Sequence, residues 1–363
     1  MAYDVVIVGA GFAGAVLAER LASQLDKTVL IIDRRDHICG NAYDTTDDMG
    51  VRIHAYGPHL FHTNDLNVVE YLSQFTAWRP YEHKVLSSVD GKLVPMPVNR
   101  TTINTLFDLD LRSEEEISAF LDREREHIPH ILTSEDFVLA KAGRRLYDKL
   151  YRGYSRKHWG VDPAHLSPQV CGRLPIRANE DDRYFDDRYQ CMPRDGYHVL
   201  FQNMLAHPLI EVQTGVDFRS LNGVRWKHLI YTGPIDEYFD YRFGRLPYRS
   251  LYFTYESHRA HLLQEVAQIN YPNDFDYTRT IEYKHITGQT ADFTTIAFEH
   301  PSEDGEPFYP VPSSESRSLY AKYKAAAESV ASVTFAGRLG TYKYLNMDQV
   351  VAQSLAIFNR VFL

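Results

Sequence analysis

The sequence predicts an α/β protein in which a split nucleotide-binding domain carries an inserted helical domain and a second, antiparallel β-sheet domain. Three observations lead there. A glycine-rich strand–helix–strand pattern opens the chain, a strand–glycine–helix pattern closes it, and the region between changes from helical to alternating periodicity.

The opening unit reads as strand Tyr3–Val8, helix Ala13–Leu25 and strand Thr28–Asp33, with Asp26-Lys27 as the turn between helix and second strand. Between the first strand and the helix stand Gly9, Gly11 and Gly14. Gly9 permits the tight turn off the strand, Gly11 lets backbone approach a pyrophosphate, and Gly14 lets the helix pack close to the sheet. Free N–H groups and the helix dipole then face the phosphates. Asp33 ends the second strand, where a carboxylate accepts hydrogen bonds from a ribose and repels a 2′-phosphate. The unit therefore predicts an FAD or NAD site and argues against NADP.

Residues 36 to 64 lack periodicity and read as a long connecting loop lining a site. Glu82 to Pro97 alternates about Asp90-Gly91, a hairpin signal. Ser113-Glu114-Glu115-Glu116 is a capping box and Ser134-Glu135-Asp136 a second helix start, so residues 100 to 151 predict helices. From 151 to 197 the chain is rich in aromatic residues and arginine, and glycines and prolines break any long helix. His228–Tyr231 reads as a strand returning to the nucleotide sheet. Segments 249–256, 279–286 and 293–299 alternate like strands of a second sheet, while 257–269 fits helix or strand. Thr334–Ala336, Gly337-Arg338 and 347–362 read as a last strand, a tight turn and a closing helix. The boundaries that follow are 1–80, 197–245 and 315–363 for the nucleotide domain and 98–155 for the helical domain. The sheet domain takes 81–97, 156–196 and 246–314.

Composition narrows the class. With 363 residues, 44% of them apolar, the chain can bury a large core and by size makes two or three domains. No apolar stretch near the N-terminus is long enough to span a bilayer, and Asp4 precedes it where a leader would be basic. Cys39, Cys171 and Cys191 are far apart, which implies neither a disulfide framework nor a metal site and predicts a reducing, cytoplasmic setting. A net charge of −9 argues against a nucleic-acid partner. A small anionic ligand fits if a few arginines focus a local positive field. A nucleotide domain split between the two ends of a chain is common for FAD, whereas NAD domains are more often contiguous, so FAD is the expected cofactor.

Longer motifs carry a more specific signal. They are Tyr56-Gly57-Pro58-His59-Leu60-Phe61-His62-Thr63, Tyr151-Arg152-Gly153-Tyr154 with Trp159-Gly160, Arg173-Leu174-Pro175-Ile176-Arg177, Tyr231-Thr232-Gly233-Pro234, Tyr277-Thr278-Arg279, Pro307-Phe308-Tyr309-Pro310 and Gly337-Arg338-Leu339-Gly340-Thr341-Tyr342. In this order, over essentially the whole chain, they closely resemble the bacterial UDP-galactopyranose mutases. The resemblance implies a flavoenzyme that interconverts the pyranose and furanose forms of UDP-galactose. In that chemistry N5 of reduced FAD attacks the anomeric carbon, UDP leaves, and the sugar opens through an iminium and recloses, with no net redox change. It also implies an external reductant for the flavin and a homo-oligomer, at least a dimer.

Roles carried over by the resemblance fall on matching positions. Arg173 and Arg279 clamp the diphosphate, with Arg173 on a loop, 167–178, that swings shut over the substrate. Tyr154, Trp159, Tyr184, Phe185 and Asn270 match the uridine end, and Trp159, before Gly160 in a polar stretch, reads as the least core-like of them. Tyr309 and Tyr344 match phosphate-contacting phenols. His59 and His62 match histidines near the isoalloxazine and the sugar, and His62 joins the two arginines as a catalytic residue without being needed as a general acid. Arg338 faces flavin and sugar phosphates, and Met347-Asp348 starts a helix whose N-terminus stabilises negative charge on reduced flavin. Besides Gly9, Gly11, Gly14, Asp33 and Gly337, cofactor contacts are implied for Phe12, Arg34, Gly40, Asn41, Leu60 and Val216. The chain departs from the family at Asn346, where Asp is frequent, at Cys39 before Gly40-Asn41, and at His158 before Trp159. A redox flavoenzyme of the amine-oxidase type, which shares the split domain, would need an apolar substrate cage, and this central segment offers arginines and tyrosines instead. A flavin-binding sensor without turnover would have no use for a diphosphate clamp.

Overall fold

The computed structural model describes residues 2–363. A parallel five-stranded sheet runs in the order Ile210–Thr214, Val29–Asp33, Ala2–Val8, Arg225–Tyr231, Val333–Phe335. Its strands come from both ends and the middle of the chain, as the split-domain pattern required. Val29–Asp33 is buried along its whole length, the mark of a parallel sheet covered on both faces. Helix Phe12–Leu25 packs against helices Tyr197–Leu205 and Met347–Val361. Their contact is apolar, through Val16, Leu17, Phe201, Val351 and Phe358.

The second sheet has seven strands, in the order Tyr309–Pro310, Tyr248–His258, Thr294–Ser302, Arg279–Glu282, Gln268–Asn270, Val85–Val89, Lys92–Met96. All its pairings are antiparallel except Gln268–Asn270 with Val85–Val89, which is parallel. Its register is the feature that builds a site. Asn270 pairs with Arg279, Arg279 with Glu299 and Glu299 with Phe253, so these four side chains stand in one row on one face. A small third sheet joins Phe61–Thr63, Tyr189–Pro193 and Trp78–Pro80.

Helices Arg100–Phe107, Glu114–Glu124 and Ser134–Leu146 pack on the hairpin Val85–Met96 around Val94, Ile103, Phe120 and Leu139. Ser113 and Glu116 cap the second helix reciprocally, as their spacing predicted. The third is capped by Thr133 with Asp136, one residue before the expected Ser134. A π-helical turn, Tyr147–Arg152, runs into helix Gly153–Trp159, so part of the expected loop-rich segment is helical.

Other expectations are corrected locally. The strand expected over 279–286 ends at Glu282, and Tyr283–Thr287 is a helix stopped by left-handed Gly288. Glu282 turns inward, taking N–H bonds from Leu263 and Gln264 and the Thr294 hydroxyl, which breaks the alternation. Within the expected 36–64 loop, Asp44–Thr46 pairs with Arg52–His54, because Asp47 accepts the N–H groups of Met49 and Val51 and closes a turn. The open segment 257–269 is irregular except for the strand extension to His258 and the start of Gln268–Asn270. Gly337-Arg338 begins a helical turn, Gly337–Gly340. Among the described residues no helix is long and apolar enough to cross a membrane.

Candidate active site

A cleft of about 480 Å³ opens at the carboxyl ends of the parallel strands, where doubly wound sheets bind dinucleotides. Gly9 has a φ of +105°, and a Cβ there would lie 2.0 Å from the Thr232 hydroxyl. A Cβ on Gly14 would lie 2.0 Å from the Gly9 carbonyl oxygen, so this residue is what lets the helix begin against the strand. Gly11 caps the helix with no side-chain bond, leaving the first N–H groups directed at the cleft. Phe12 turns its ring away from the cleft, onto Tyr197 and Phe201, so it contributes backbone. Asp33 accepts the N–H of Ala10 at 2.8 Å and of Arg35 at 2.9 Å. Its carboxylate thus braces the glycine turn, and each oxygen retains a lone pair for a ribose.

Arg34, Gly40, Asn41, His59, Val216, Gly337, Arg338 and Met347 also line the cleft. Leu60 does not; it packs against the apolar core. Asp348, expected beside Met347 at the cofactor, is not among the residues lining the cleft, and one of its carboxylate oxygens is buried with no protein partner. His59 places Nδ1 2.9 Å from the Gly57 carbonyl, and burial pulls its imidazole down to about 4. It is therefore neutral at pH 7, with Nε2 as an acceptor. Glycine turn, helix N-terminus and ribose acid together fit a dinucleotide.

The cleft continues into a cluster of arginines and phenols. Arg173 donates to Asn346 Oδ1 at 2.6 Å and stacks its guanidinium 4.0 Å from the Tyr344 ring centre. Arg338 lies on the same aromatic group, 5.3 Å from Tyr309 and 5.9 Å from Tyr344. It spends donors on the carbonyls of Leu345 and Phe308, so it braces the loop as well as supplying charge. Tyr309 and Tyr344 meet edge to face at 5.4 Å. Burial raises the Tyr309 phenol and Glu299 adds to the effect, while Arg279 and Arg338 oppose it, so the group stays a donor.

Arg279 sits on the ladder row, its fork bonded to Glu299 at 2.6 Å and to Gln268 at 3.4 Å. Its Nε is buried without a partner. Asn270, directly opposite, accepts from Gln268 at 2.8 Å. Burial raises the phenols of Tyr154 and Tyr184, and the Arg279 charge opposes the rise in both. Tyr154 stacks on His158, whose imidazole burial pulls down to about 4 against the Glu299 carboxylate. The residues expected at the two ends of a nucleotide diphosphate are thus assembled around Arg173, Arg279 and Arg338.

One expectation changes. Trp159 is only 4% exposed and packs with Leu166 and Val311, making it core that supports Tyr309 and Tyr344 from behind. His62 stacks on Phe185 at 3.6 Å between ring centres, and Phe185 meets Tyr184 edge to face. Glu299, Gln268 and Asp187 escaped the sequence reading. Glu299 had a signal, a charge in the alternating run Thr294 to Glu299; Asp187 had none, since its partner His62 is distant in the chain.

The chain is similar in sequence and fold to known proteins. Residues 149–344 match the family model described as UDP-galactopyranose mutase, and residues 7–75 match an NAD(P)-binding Rossmann-like domain. A Klebsiella pneumoniae relative named probable UDP-galactopyranose mutase is 37% identical over 97% of this chain and 93% of its own length. An Escherichia coli dTDP-fucopyranose mutase is 34% identical over 97% of this chain and 96% of its own. The crystal structure of a reduced UDP-galactopyranose mutase superimposes with a TM-score of 0.79 at 17% identity, covering 99% of this chain and 94% of that one. The chain is therefore an enzyme belonging to the UDP-galactopyranose mutase family.

Proposed function

We propose that the protein interconverts UDP-galactopyranose and UDP-galactofuranose, with FAD in the Gly9–Gly14 cleft kept in its reduced form. The convergence of Arg173, Arg279 and Arg338 with Tyr154, Tyr184, Tyr309 and Tyr344 next to a dinucleotide cleft carries this reading. When bound, reduced flavin supplies N5 as the nucleophile for the anomeric carbon, with no net redox change. The chain's own residues do the rest. Arg173 and Arg279 bind the diphosphate and gain most when charge grows on it as the C1–O bond breaks, each such hydrogen bond contributing roughly 1.5–3 kcal/mol. Tyr309, kept protonated by its burial, and Tyr344 donate to the same oxygens.

Tyr154, Tyr184, Phe185 and Asn270 take the uridine, where an aromatic platform contributes on the order of 1–3 kcal/mol; Trp159 supports them from the core. Loop 167–178 closes over the sugar nucleotide, bringing Arg173 and excluding water. The N-terminus of helix Met347–Val361 stabilises negative charge at the flavin. A cytoplasmic homo-oligomer, supplied with electrons by an external reductant, completes the reading.

The test is to incubate dithionite-reduced protein with UDP-galactofuranose and separate the isomers chromatographically. Formation of UDP-galactopyranose by reduced but not oxidised protein is expected. Because a relative bears the name dTDP-fucopyranose mutase, dTDP-fucopyranose belongs in the same assay; a faster reaction with it would reassign the substrate.

A further inference from the structure

Lys157 and the loop it holds have no role in the proposed function. Its ammonium donates to the backbone carbonyls of Tyr271, of Asp274 at 2.8 Å and of Tyr277 at 3.0 Å, and the Phe275 carbonyl lies 3.4 Å away. All four belong to one loop, 271–278. Carbonyl oxygens aimed at a single point repel one another unless a cation sits among them, as in sites that replace an ion's hydration shell. Lys157 supplies that cation as a compact charge with rotatable donors. Burial pulls its ammonium down to about 8, with Asp274 and Asp276 opposing, so at pH 7 it is charged. Phe275 turns through a φ of +57°, a left-handed conformation that phenylalanine rarely takes, within the stretch that wraps the ammonium.

The loop joins two residues of the site. Asn270 and Arg279 are the opposed pair at the end of their hairpin, and the Tyr271 N–H closes on the Thr278 carbonyl at 2.9 Å. Lys157 itself stands on helix Gly153–Trp159, which carries Tyr154 and His158. That helix has a fixed base, because the buried Arg249 donates to the carbonyls of His158 at 3.0 Å and Lys157 at 3.1 Å. At its start, a Cβ on Gly153 would lie 2.5 Å from the Pro272 carbonyl oxygen, so helix and loop touch directly. Asn273 adds a bond to the Lys149 carbonyl at 2.9 Å. The ammonium therefore ties the strands of Asn270 and Arg279 to the helix of Tyr154.

We propose that Lys157 is a positioning residue, a tethered cation that fixes the Asn270–Arg279 hairpin against the Tyr154 helix and so presets the spacing of the sugar-nucleotide site. The inference rests on the proposed function for the identity of that ligand. Without the cation the ligand must order the two elements as it binds, which weakens binding and leaves the bound complex little changed.

Substitution and chemical rescue at pH 7 and constant ionic strength decide it. In the reduced holoenzyme, Lys157→Ala should raise KM for the sugar nucleotide and Kd for UDP at least about tenfold, with kcat within about threefold. Propylammonium, which replaces the atoms removed, should recover at least about threefold of the lost affinity, whereas tetramethylammonium, a cation with no N–H, should recover none. Lys157→Gln, a milder change that keeps a neutral donor, should weaken UDP binding at least about threefold and should not respond to propylammonium. Deuterium exchange across residues 271–278, read by mass spectrometry without ligand, should be at least about tenfold faster in Lys157→Ala and slow again with propylammonium. Affinities within about twofold of wild type in both variants, unchanged exchange in the loop, or propylammonium no better than tetramethylammonium overturns the proposal. If the wild type neither binds UDP nor converts a sugar nucleotide, the functional reading fails, and the exchange result still decides whether Lys157 holds the loop.

Discussion

Arg279 and Glu299 face each other across adjacent antiparallel strands, and their side chains meet at 2.6 Å with the carboxylate wholly buried. Glu299 also takes the Thr278 hydroxyl at 3.0 Å. Taking away one partner of a buried pair leaves an uncompensated charge, at a cost of about 3–5 kcal/mol. Glu299→Ala should therefore lower unfolding free energy by that order in urea titration, and Glu299→Gln, which keeps the Thr278 bond, by less. Equal losses would mean that the lost charge alone sets the cost and that the Thr278 bond adds nothing.

Arg173 should behave differently, because it is held at the surface of the cluster by Asn346 and the Tyr344 ring. Arg173→Ala should leave stability nearly unchanged while raising KM and lowering kcat together, with kcat/KM down at least about tenfold. Steady-state kinetics check it, and an unchanged KM would contradict the clamp.

Gly14→Ala places a methyl 2.0 Å from the Gly9 carbonyl, a contact that only backbone movement relieves. The helix start must then shift from the phosphate position. The variant should purify with little flavin, read from the ratio of visible to ultraviolet absorbance, and bind added FAD at least about tenfold more weakly.

Three buried histidines predict acid sensitivity. Burial pulls His54 and His83 down to about 3 and His158 to about 4, from an ordinary 6.5. Above pH 6.5 these sites are neutral in both the native and unfolded chain and do not change stability. Below it the unfolded chain takes up protons that the native chain refuses, so stability falls, by up to about 1.4 kcal/mol per pH unit per histidine. At about 2 kcal/mol for each of the three, unfolding free energy should be about 6 kcal/mol lower at pH 5 than at pH 7.5. His54→Asn, which keeps an acceptor for the His59 N–H, should show a shallower decline.

Much of this architecture was legible because local signals coincide with it. The glycine turn, the Asp90-Gly91 hairpin, the Ser113 capping box and the closing helix each state their own conformation in a few residues. Arg173 and Arg279 were legible through their motifs. What escaped depends on contacts remote in sequence. Glu282 turned inward and ended a strand that alternation extended to 286. Trp159 read as the least core-like of the uridine-end residues because its neighbours are polar, yet Leu166 and Val311 bury it. Asp187 meets His62 only through strand pairing.

The central claim, that a dinucleotide cleft here serves an isomerisation in which the flavin is a catalyst and not an oxidant, is tested most directly by counting electrons. Anaerobic protein reduced with one equivalent of dithionite should convert many equivalents of UDP-galactofuranose to UDP-galactopyranose while the flavin spectrum stays bleached. Reoxidation of the flavin in step with sugar converted, or equal turnover by the oxidised protein, would contradict it.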